Sequence, residues 1–396
     1  MNLHRLHIPF LILALTSCAE GGFRGTEPLV AGSPGDPLPG LDPGELARFR
    51  KGEALFNKVF TPQEGLGPLF NENQCSACHT DPAPGGTGDQ FVTKATRWSP
   101  VTGCDLLPGQ GGENVRTRAT PALQVHGILE EEVPRDATEV GRFVVPYLFG
   151  LGLAEAVPEE TLEALADPED RDGDGISGRL ARTADGRMGL FGRKGDFATL
   201  AEFNAGAFFL EMGVTNPLHK GPETNNGGSL PAGVDLAGDP EVGDETLALV
   251  LDFVRFLAPL ARRIPSDPEA LGQVAWGEVV FEEIGCTSCH IPVLKTGAHP
   301  VGALSRKAVA FYSDFLLHDL GSEVSSVCGP DAAPTEHRTG ILMGVGLREL
   351  FLHSGDARSL EEAIRRHGGE AQRARQAFQS LSELDRHYLI RFLETL

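Results

Sequence analysis

A five-residue motif, C-x-x-C-H, occurs twice in the chain and constrains its fold more than any other feature. The first copy contains Cys75, Cys78 and His79, and the second contains Cys286, Cys289 and His290. Two thiols separated by two residues can both add to the vinyl groups at one edge of a haem, and the adjacent imidazole can then ligate the iron. The sequence therefore predicts two covalently bound haem c groups with His79 and His290 as iron ligands.

Two other structures could use the same cysteines. Two C-x-x-C pairs can supply four thiolates to a zinc ion, and a disulfide could close within each pair. The histidine that directly follows both pairs favours haem, because a zinc site does not need it twice.

The composition is that of a soluble protein with more than one domain. A chain of 396 residues is long for a single core, so two or three domains are expected. The residues are 41% hydrophobic and 22% charged, and the formal net charge is -21. This charge disfavours a nucleic-acid partner and favours association with a small basic redox protein.

The N-terminus has the pattern of an export signal. Arg5 precedes an apolar run at 8–15 that is too short to cross a membrane as a mature helix, so residues 1–17 are predicted to be a cleaved signal peptide. The sequence at 15–18, which ends in Cys18, resembles a bacterial lipobox, and this predicts a lipid anchor to the membrane. Ala19 is not acidic, which favours the outer membrane; an ordinary signal peptide cut nearby is the alternative. Either version predicts a periplasmic protein.

Export also bears on the remaining cysteines. Residues 18–42 are rich in Gly and Pro without apolar periodicity, which predicts a flexible linker. Once Cys18 and the four motif cysteines are assigned, Cys104 and Cys328 are left over. An oxidising compartment favours a disulfide between them.

The two halves of the chain begin and end alike. A predicted helix from residue 43 to about residue 60 carries Gly52 before the first motif, and a similar helix carries Gly277 before the second. The late helices contain matching sequences at 254–257 and 390–393. A matched start, haem motif and closing helix indicate a duplicated cytochrome c unit.

The copies differ in length, and the first contains large insertions. Gly277 lies nine residues before its cysteine, whereas Gly52 lies twenty-three before its own. We therefore predict a mostly α fold with an N-terminal cytochrome c-like domain at 43–262 and a C-terminal cytochrome c domain at 263–396. A substrate pocket can be built from insertions over the first haem.

An acidic stretch within the insertion is similar to the start of a calcium loop. Asp170, Asp172 and Asp174 occupy alternate positions, and Gly175 stands sixth, where the loop turns sharply. Position twelve, usually a bidentate acid, is Ala181. The pattern predicts a Ca²⁺ site, with a solvated acidic turn as the alternative.

Further motifs carry a family resemblance. They are FLLHDLG at 315–321, FLHSGDARSLEEAI at 351–364 and HGGEA at 367–371, with supporting segments at 148–156, 170–179 and 212–217. With the two C-x-x-C-H motifs, they resemble the di-haem oxidoreductase family, also described as thiol oxidoreductases. That family is related to the bacterial di-haem cytochrome c peroxidases.

The resemblance implies an oxidoreductase of the peroxidase type. Electrons from a small redox protein would enter through the C-terminal haem, and peroxide or another small oxidant would react at the N-terminal haem. Two alternatives stay open: a non-catalytic electron carrier with two haems, and an oxygenase that cleaves an organic substrate.

The same resemblance implies roles for three histidines. His367 stands where the relatives place the ligand opposite the C-terminal haem, so His290 and His367 are expected to be its axial pair. In the alternative interpretation His367 only caps the helix that ends before Gly368. His318 and His353 are expected to lie in the haem environment, or to be ordinary hydrogen-bonded core histidines.

The peroxidase relatives also carry an acid followed by Met-Gly over the N-terminal haem. Glu211 and Met212 are similar, which implies that Glu211 is a catalytic acid/base. Without the family resemblance, Met212 would be expected in the hydrophobic core and Glu211 on the surface. The distal ligand of the first haem is left open among Met212, His126 and His219.

Overall fold

The computed structural model describes residues 28–221 and 224–396. The predicted signal peptide at 1–17 and the predicted lipidation site at Cys18 lie outside the described residues. Within the described part of the chain, no helix has the length and apolar character needed to span a bilayer.

The longer helices form two matched pairs. The helices are α1 (Pro43–Phe56), α2 (Cys75–Cys78), α3 (Pro121–Gln124), α4 (Leu151–Glu155), α5 (Glu159–Glu163), α6 (Leu200–Met212), α7 (Asp244–Arg255), α8 (Pro268–Glu283), α9 (Leu360–Arg365), α10 (Gln372–Ser380) and α11 (Glu383–Leu393). Short 3-10 helices lie at Pro62–Glu64, Pro108–Gln110, Cys286–Ser288, Ser322–Val324, Val345–Leu347 and Gly369–Ala371. Helix α1 packs against α7, and α8 packs against α11.

The strands are antiparallel and mostly short. They are β1 (Leu69–Phe70), β2 (Phe91–Ser99), β3 (Gly103–Asp105), β4 (Asn114–Val115), β5 (Arg118–Ala119), β6 (Glu139–Val144), β7 (Ala181–Arg182), β8 (Met188–Gly189), β9 (Leu294–Lys295), β10 (Ala308–Val309), β11 (Leu317–Asp319) and β12 (Glu336–Arg338). The long strand β2 pairs with β3, β4 and β6. In this register Lys94 faces both Asn114 and Gly141. The other strands pair as β1–β5, β7–β8, β9–β10 and β11–β12.

The prediction of a mostly α fold is wrong. The structure is 32% helical and 15% strand, and is therefore mixed. Its largest sheet is built from the inserted residues between the first motif and α4. Strand β2 contains Val92, Thr93 and Thr96, β-branched residues that favour extended backbone, together with Phe91 and Trp98. The helical pattern at the ends of the two repeats does not extend to these residues.

Residues 28–42 do not form the flexible linker that was predicted. The backbone N–H of Val30 donates to the Ala308 carbonyl at 3.0 Å, and that of Leu38 donates to the Phe256 carbonyl at 2.8 Å. The Leu38 side chain is buried in the larger core. These contacts attach the segment to the folded protein from residue 28 onward.

Each long helix pair crosses at a glycine. A Cβ atom added at Gly52 of α1 would overlap a carbonyl oxygen of α7 and lie 2.8 Å from the Phe253 Cβ. A Cβ atom added at Gly277 of α8 would overlap a carbonyl oxygen of α11 and lie 2.8 Å from the Phe392 Cβ. The two crossings are equivalent, as expected from a duplicated unit, and only glycine allows backbones to approach this closely.

Replacing Gly277 by alanine should destabilise the protein by about 1–3 kcal/mol, because the new methyl group forces α8 and α11 apart. Gly272 is a matched control in the same helix: it is exposed, and a Cβ added there meets nothing within 4 Å. The Gly272→Ala variant should gain up to about 1 kcal/mol from helix propensity. Urea unfolding of the two haem-loaded variants measures both effects, and equal midpoints would contradict the close crossing.

The two halves are joined by a shared core and a covalent bond. The larger hydrophobic cluster contains Phe253 from the first half and Phe311 from the second, both fully buried. The predicted disulfide between Cys104 and Cys328 is confirmed, with Cα atoms 5.7 Å apart. The domain boundary after residue 262 stays a prediction.

Candidate haem-binding and active site

The first motif forms a single helical turn that ends at its histidine. Helix α2 spans Cys75–Cys78, and His79 follows in a non-helical conformation. The His79 Nδ1–H donates to the Gly86 carbonyl at 3.0 Å, and the Phe56 ring lies 6.1 Å from the imidazole. With Nδ1 held by a carbonyl, Nε2 is the nitrogen left to ligate iron.

The second motif repeats this arrangement. A 3-10 turn at Cys286–Ser288 precedes His290. The His290 Nδ1–H donates to the Tyr312 carbonyl at 2.9 Å, and the Phe281 ring lies 6.4 Å from the imidazole. The two histidines therefore have the same tautomer, and each has a phenylalanine ring beside it in an equivalent position.

One cavity of about 840 Å³ is lined by both motifs. This volume is near the upper end of the range for small-molecule and cofactor pockets. Burial lowers the pKa of His79 to about 4 and that of His290 to about 4, which keeps both imidazoles in the neutral form that binds metals. All six motif residues thus face a space of the kind that a large planar cofactor needs.

The alternatives for the cysteines find no support in the described residues. Each of the four motif cysteines is a free thiol, so neither motif closes a disulfide. No group of described metal-ligating side chains contains two cysteines, as a zinc site made of these pairs would require. The donor set therefore fits haem.

His367 lines the same cavity as the C-terminal motif, and its role as a second iron ligand stays a prediction. Its charge lowers the pKa of His290, although less than burial does. Its Nδ1–H donates to the Ala363 carbonyl at 2.8 Å, near the C-terminus of α9. The helix-capping interpretation and the ligand interpretation are compatible, because the cap uses Nδ1 and leaves Nε2 free.

His318 is held between two carboxylates. Its Nε2 lies 2.9 Å from Asp314 and its Nδ1 lies 2.8 Å from Glu370, while the Cys289 sulfur is 3.8 Å away. Burial lowers the pKa of His318, but the hydrogen bonds to Asp314, Cys289 and Glu370 outweigh it and raise the pKa to about 12. Both ring nitrogens are engaged, which agrees with a place beside the haem rather than on the iron.

His353 also lines the cavity and stacks on a second histidine. Its ring lies 4.2 Å from that of His337, with an angle of 19° between the planes. Burial and the charges of Arg193 and Lys194 lower the pKa of His353 to about 3. The structure places His353 on the wall of the cavity that both motifs line, and a role beside a haem stays a prediction.

Glu211 lies in the last turn of α6 and lines the cavity on the side of the first motif. Gly213, in the left-handed conformation at φ 65°, ends the helix and turns the chain away directly after Met212. The Asn71 side-chain amide donates to the Glu211 carboxylate at 2.8 Å, and the Asn114 amide donates to its other oxygen. The carboxylate is therefore oriented from two sides.

The surroundings of Glu211 favour its protonated form. Burial raises the pKa of Glu211, and the hydrogen bonds from Asn71 and Asn114 oppose this rise only in part. A carboxyl group with a raised pKa, on the wall of a cavity, is typical of catalytic acids and bases.

The three candidates for the distal ligand of the first haem differ in position. Met212 is buried and lines the cavity. His126 is exposed, and His219 stacks on Phe209 with ring centroids 5.3 Å apart. Neither histidine lines the cavity, so of the three only Met212 does.

The comparison with protein families agrees with this geometry. A family model described as "Di-haem oxidoreductase, putative peroxidase" matches residues 127–396, which is more than half of the chain. The chain belongs to this family. The family predicted from the motifs is confirmed, and it implies two haems.

Three solved structures are similar to the chain at low sequence identity. Hydrazine synthase from Kuenenia stuttgartiensis is 12% identical, with 98% of this chain and 100% of that chain covered and a TM-score of 0.42. A MauG-like protein associated with microbial copper homeostasis is 14% identical, with 95% of both chains covered and a TM-score of 0.41. The diheme peroxidase BthA from Burkholderia thailandensis is 18% identical, with 94% and 92% covered and a TM-score of 0.42. These likenesses are too distant to bear on activity, and no curated protein matches the chain.

The predicted calcium loop of this di-haem oxidoreductase brings its three acids together. Oxygens of Asp170, Asp172 and Asp174 all lie within 4.8 Å of one another. Each carboxylate already accepts a backbone N–H of its own loop, and Ala181 offers no ligand at position twelve. Calcium binding stays a prediction.

Several residues on the cavity of the di-haem oxidoreductase were missed by sequence reasoning. They are Asn114, Arg193, His337, Arg338 and Arg348. Most stand in short strands or loops far in sequence from either motif, and none belongs to a pattern with known spacing. Only their proximity in the folded chain identifies them.

Proposed function

We propose that this di-haem oxidoreductase reduces hydrogen peroxide at the first motif with electrons that arrive through the second. The observation that carries the proposal is the position of Glu211, a partly buried carboxylate with a raised pKa on the cavity wall that also holds Cys75, Cys78 and His79. Thioether bonds from the four motif cysteines would hold the two haems.

Reduction of hydrogen peroxide to two water molecules consumes two electrons and two protons. Haem iron, when bound, supplies the redox centre. Glu211 accepts a proton from one peroxide oxygen and donates it to the oxygen that leaves as water, while the two protons consumed come from solvent. The amides of Asn71 and Asn114 hold the carboxylate in place between these two transfers.

The second motif is suited to electron transfer. His290 and His367 both direct Nδ1 to a backbone carbonyl, which leaves an Nε2 on each for the iron. These two residues would hold the second haem iron, and ligation by two histidines would give that haem a lower reduction potential than ligation by a His/Met pair. This site would relay electrons without binding peroxide.

Replacing His367 by alanine should remove a low-spin ferric signal and produce a high-spin one, because one axial position opens. Electron paramagnetic resonance of the purified ferric protein measures this change. His387, an exposed histidine of α11, is the control, and the His387→Ala spectrum should equal that of the wild type. An unchanged spectrum in His367→Ala would contradict ligation.

We also propose that the protein is exported and works in the periplasm. The Cys104–Cys328 disulfide supports an oxidising compartment. The signal peptide and the lipid anchor on Cys18 at the outer membrane belong to this proposal. The net charge of -21 favours a small basic redox protein as electron donor.

Stopped-flow spectroscopy tests the proposed activity. Protein matured with haem should oxidise a reduced donor only when peroxide is added, and the Soret band should change within the same turnover. A ferric protein that shows no high-spin signal and no response to peroxide would instead be an electron carrier.

A further inference from the structure

Three arginines line the haem cavity without a carboxylate partner. They are Arg193, Arg338 and Arg348, and each is partly accessible. Among the described residues, no Asp or Glu oxygen comes within ion-pair distance of any of the three guanidinium groups. A guanidinium with restricted access to water normally has an anionic partner, so this cluster lacks its counter-ions.

Neutral contacts hold the three arginines in place. The Arg193 Nη2 donates to the Val144 carbonyl at 2.9 Å, and the Arg338 Nε donates to the Gly192 carbonyl at 3.0 Å. The Arg348 guanidinium lies 4.3 Å from the centroid of the Tyr147 ring. Carbonyls and an aromatic face orient these groups but leave their charge uncompensated, and most of their N–H donors stay available.

The arginines are close enough to repel one another. Burial lowers the pKa of Arg193 to about 9, and the charges of Arg348 and Arg338 contribute to the same shift. Burial also lowers the pKa of Arg338 to about 10, although the charges of Asp196 and Asp314 oppose this from beyond ion-pair distance. An arrangement of like charges at this depth is stabilised only when anions enter it.

A buried histidine adds an unused donor at the same place. His337 is 6% exposed and lines the cavity, and neither of its ring nitrogens has a hydrogen-bond partner of good geometry among the described residues. The charges of Lys194 and Arg193 act on it and help to lower its pKa, after burial. Its free N–H could bond an acceptor that lies among the arginines.

We propose that Arg193, Arg338 and Arg348 bind the propionate carboxylates of the haems. Two haems bring four carboxylates into this cavity, at porphyrin edges opposite those bonded to the cysteines. The planar guanidinium forms paired hydrogen bonds with a carboxylate, which supplies both the charge and the geometry that the cluster lacks. The inference rests on the haem-binding part of the proposed function and not on the reaction with peroxide.

The test compares Arg348→Gln with a matched surface variant. Arg142 lies over the Phe91 ring at 4.1 Å, much as Arg348 lies over Tyr147, but it is exposed and does not line the cavity. Haem with ¹³C-labelled propionate carboxylates identifies their infrared bands. In Arg348→Gln a labelled band should shift and a haem midpoint potential should fall, because loss of a nearby cation favours the ferric state. Arg142→Gln should change neither.

Three further variants test whether the arginines bind the propionates. Arg348→Lys retains the charge and should restore most of the potential, but not the band position. If Arg348→Gln does not mature with haem, Arg193→Gln and Arg338→Gln give the same two readouts. Unchanged bands and potentials in haem-loaded glutamine variants would overturn the proposal.

A free carboxylate could bind the same arginines instead. In that case acetate would shift the potential of the wild type but not of Arg348→Gln, and the labelled bands would stay constant, which would also overturn the proposal. Peroxide turnover is measured separately. Its absence in the wild type would refute the proposed activity without affecting the infrared result.

Discussion

Replacing Glu211 by glutamine should reduce peroxide turnover by about 10²–10⁴-fold, the usual contribution of a positioned acid/base. Glutamine has the same shape and can still bond Asn71 and Asn114, but it cannot carry a proton between the two peroxide oxygens. The haem spectrum and haem content should stay those of the wild type. Steady-state oxidation of a reduced donor measures the loss.

A second carboxylate on the same cavity provides the control. Glu72 also lines the cavity, but an ion pair with Arg118 at 2.7 Å holds its carboxylate. Glu72→Gln should keep most of the activity. Equal losses in the two variants would show that the charge of the cavity, rather than proton transfer by Glu211, controls the rate.

The pH dependence gives an independent readout of the same group. Glu211 must be ionised to accept a proton, and burial raises its pKa above the ordinary value. The wild-type rate should therefore fall as the pH decreases through this raised pKa. In Glu211→Gln the residual rate should lose that limb of the profile, which a merely structural role would not predict.

Removing the Cys104–Cys328 disulfide should lower the free energy of unfolding by about 2–5 kcal/mol. The bond joins residues separated by 224 positions, so in the unfolded chain it closes a very long loop. In the chain-entropy account, such a loop constrains the unfolded state strongly. A double variant, Cys104→Ala with Cys328→Ala, avoids leaving one unpaired thiol.

The disulfide also joins the inserted sheet to a segment near residue 328 that is far from it in sequence. Cys104 lies in β3, next to β2 of the inserted sheet, and Cys328 is buried with its N–H bonded to the Thr96 hydroxyl at 3.1 Å. Urea unfolding of the haem-loaded protein measures the loss. Reductant should shift the wild-type midpoint towards that of the double variant and leave the double variant unchanged; identical midpoints throughout would contradict the prediction.

Glu211 illustrates how far sequence reasoning reached. From its residue type alone, Glu211 was expected to be a surface acid, and only the family resemblance indicated a catalytic role. The structure buries it in part and places two asparagines around it, 140 and 97 positions away in sequence. No local pattern could have identified these partners, because Asn71 follows β1 and Asn114 lies in β4, and the two meet α6 only in the folded chain.

The strands of the insertion were missed for a different reason. The matched helices at the ends of the two repeats were visible because their apolar spacing repeats. The insertion has no second copy in the chain, and its β-branched residues between 91 and 96 were not recognised as part of a strand. Residues 28–42 were likewise predicted to be a flexible linker from their composition, although backbone N–H groups in this segment donate to carbonyls of the folded protein.

The sequence by itself determined the two C-x-x-C-H motifs and the family, because each depends on residue identity and short spacing. It only favoured the pairing of Cys104 with Cys328, which the structure then confirmed. The tertiary structure alone decided the mixed fold, the asparagines around Glu211 and the cluster of Arg193, Arg338 and Arg348. The physical reason is that attachment of a haem is local covalent chemistry within five residues. Burial, charge clustering and the orientation of a carboxylate depend instead on segments that meet only after the chain has folded.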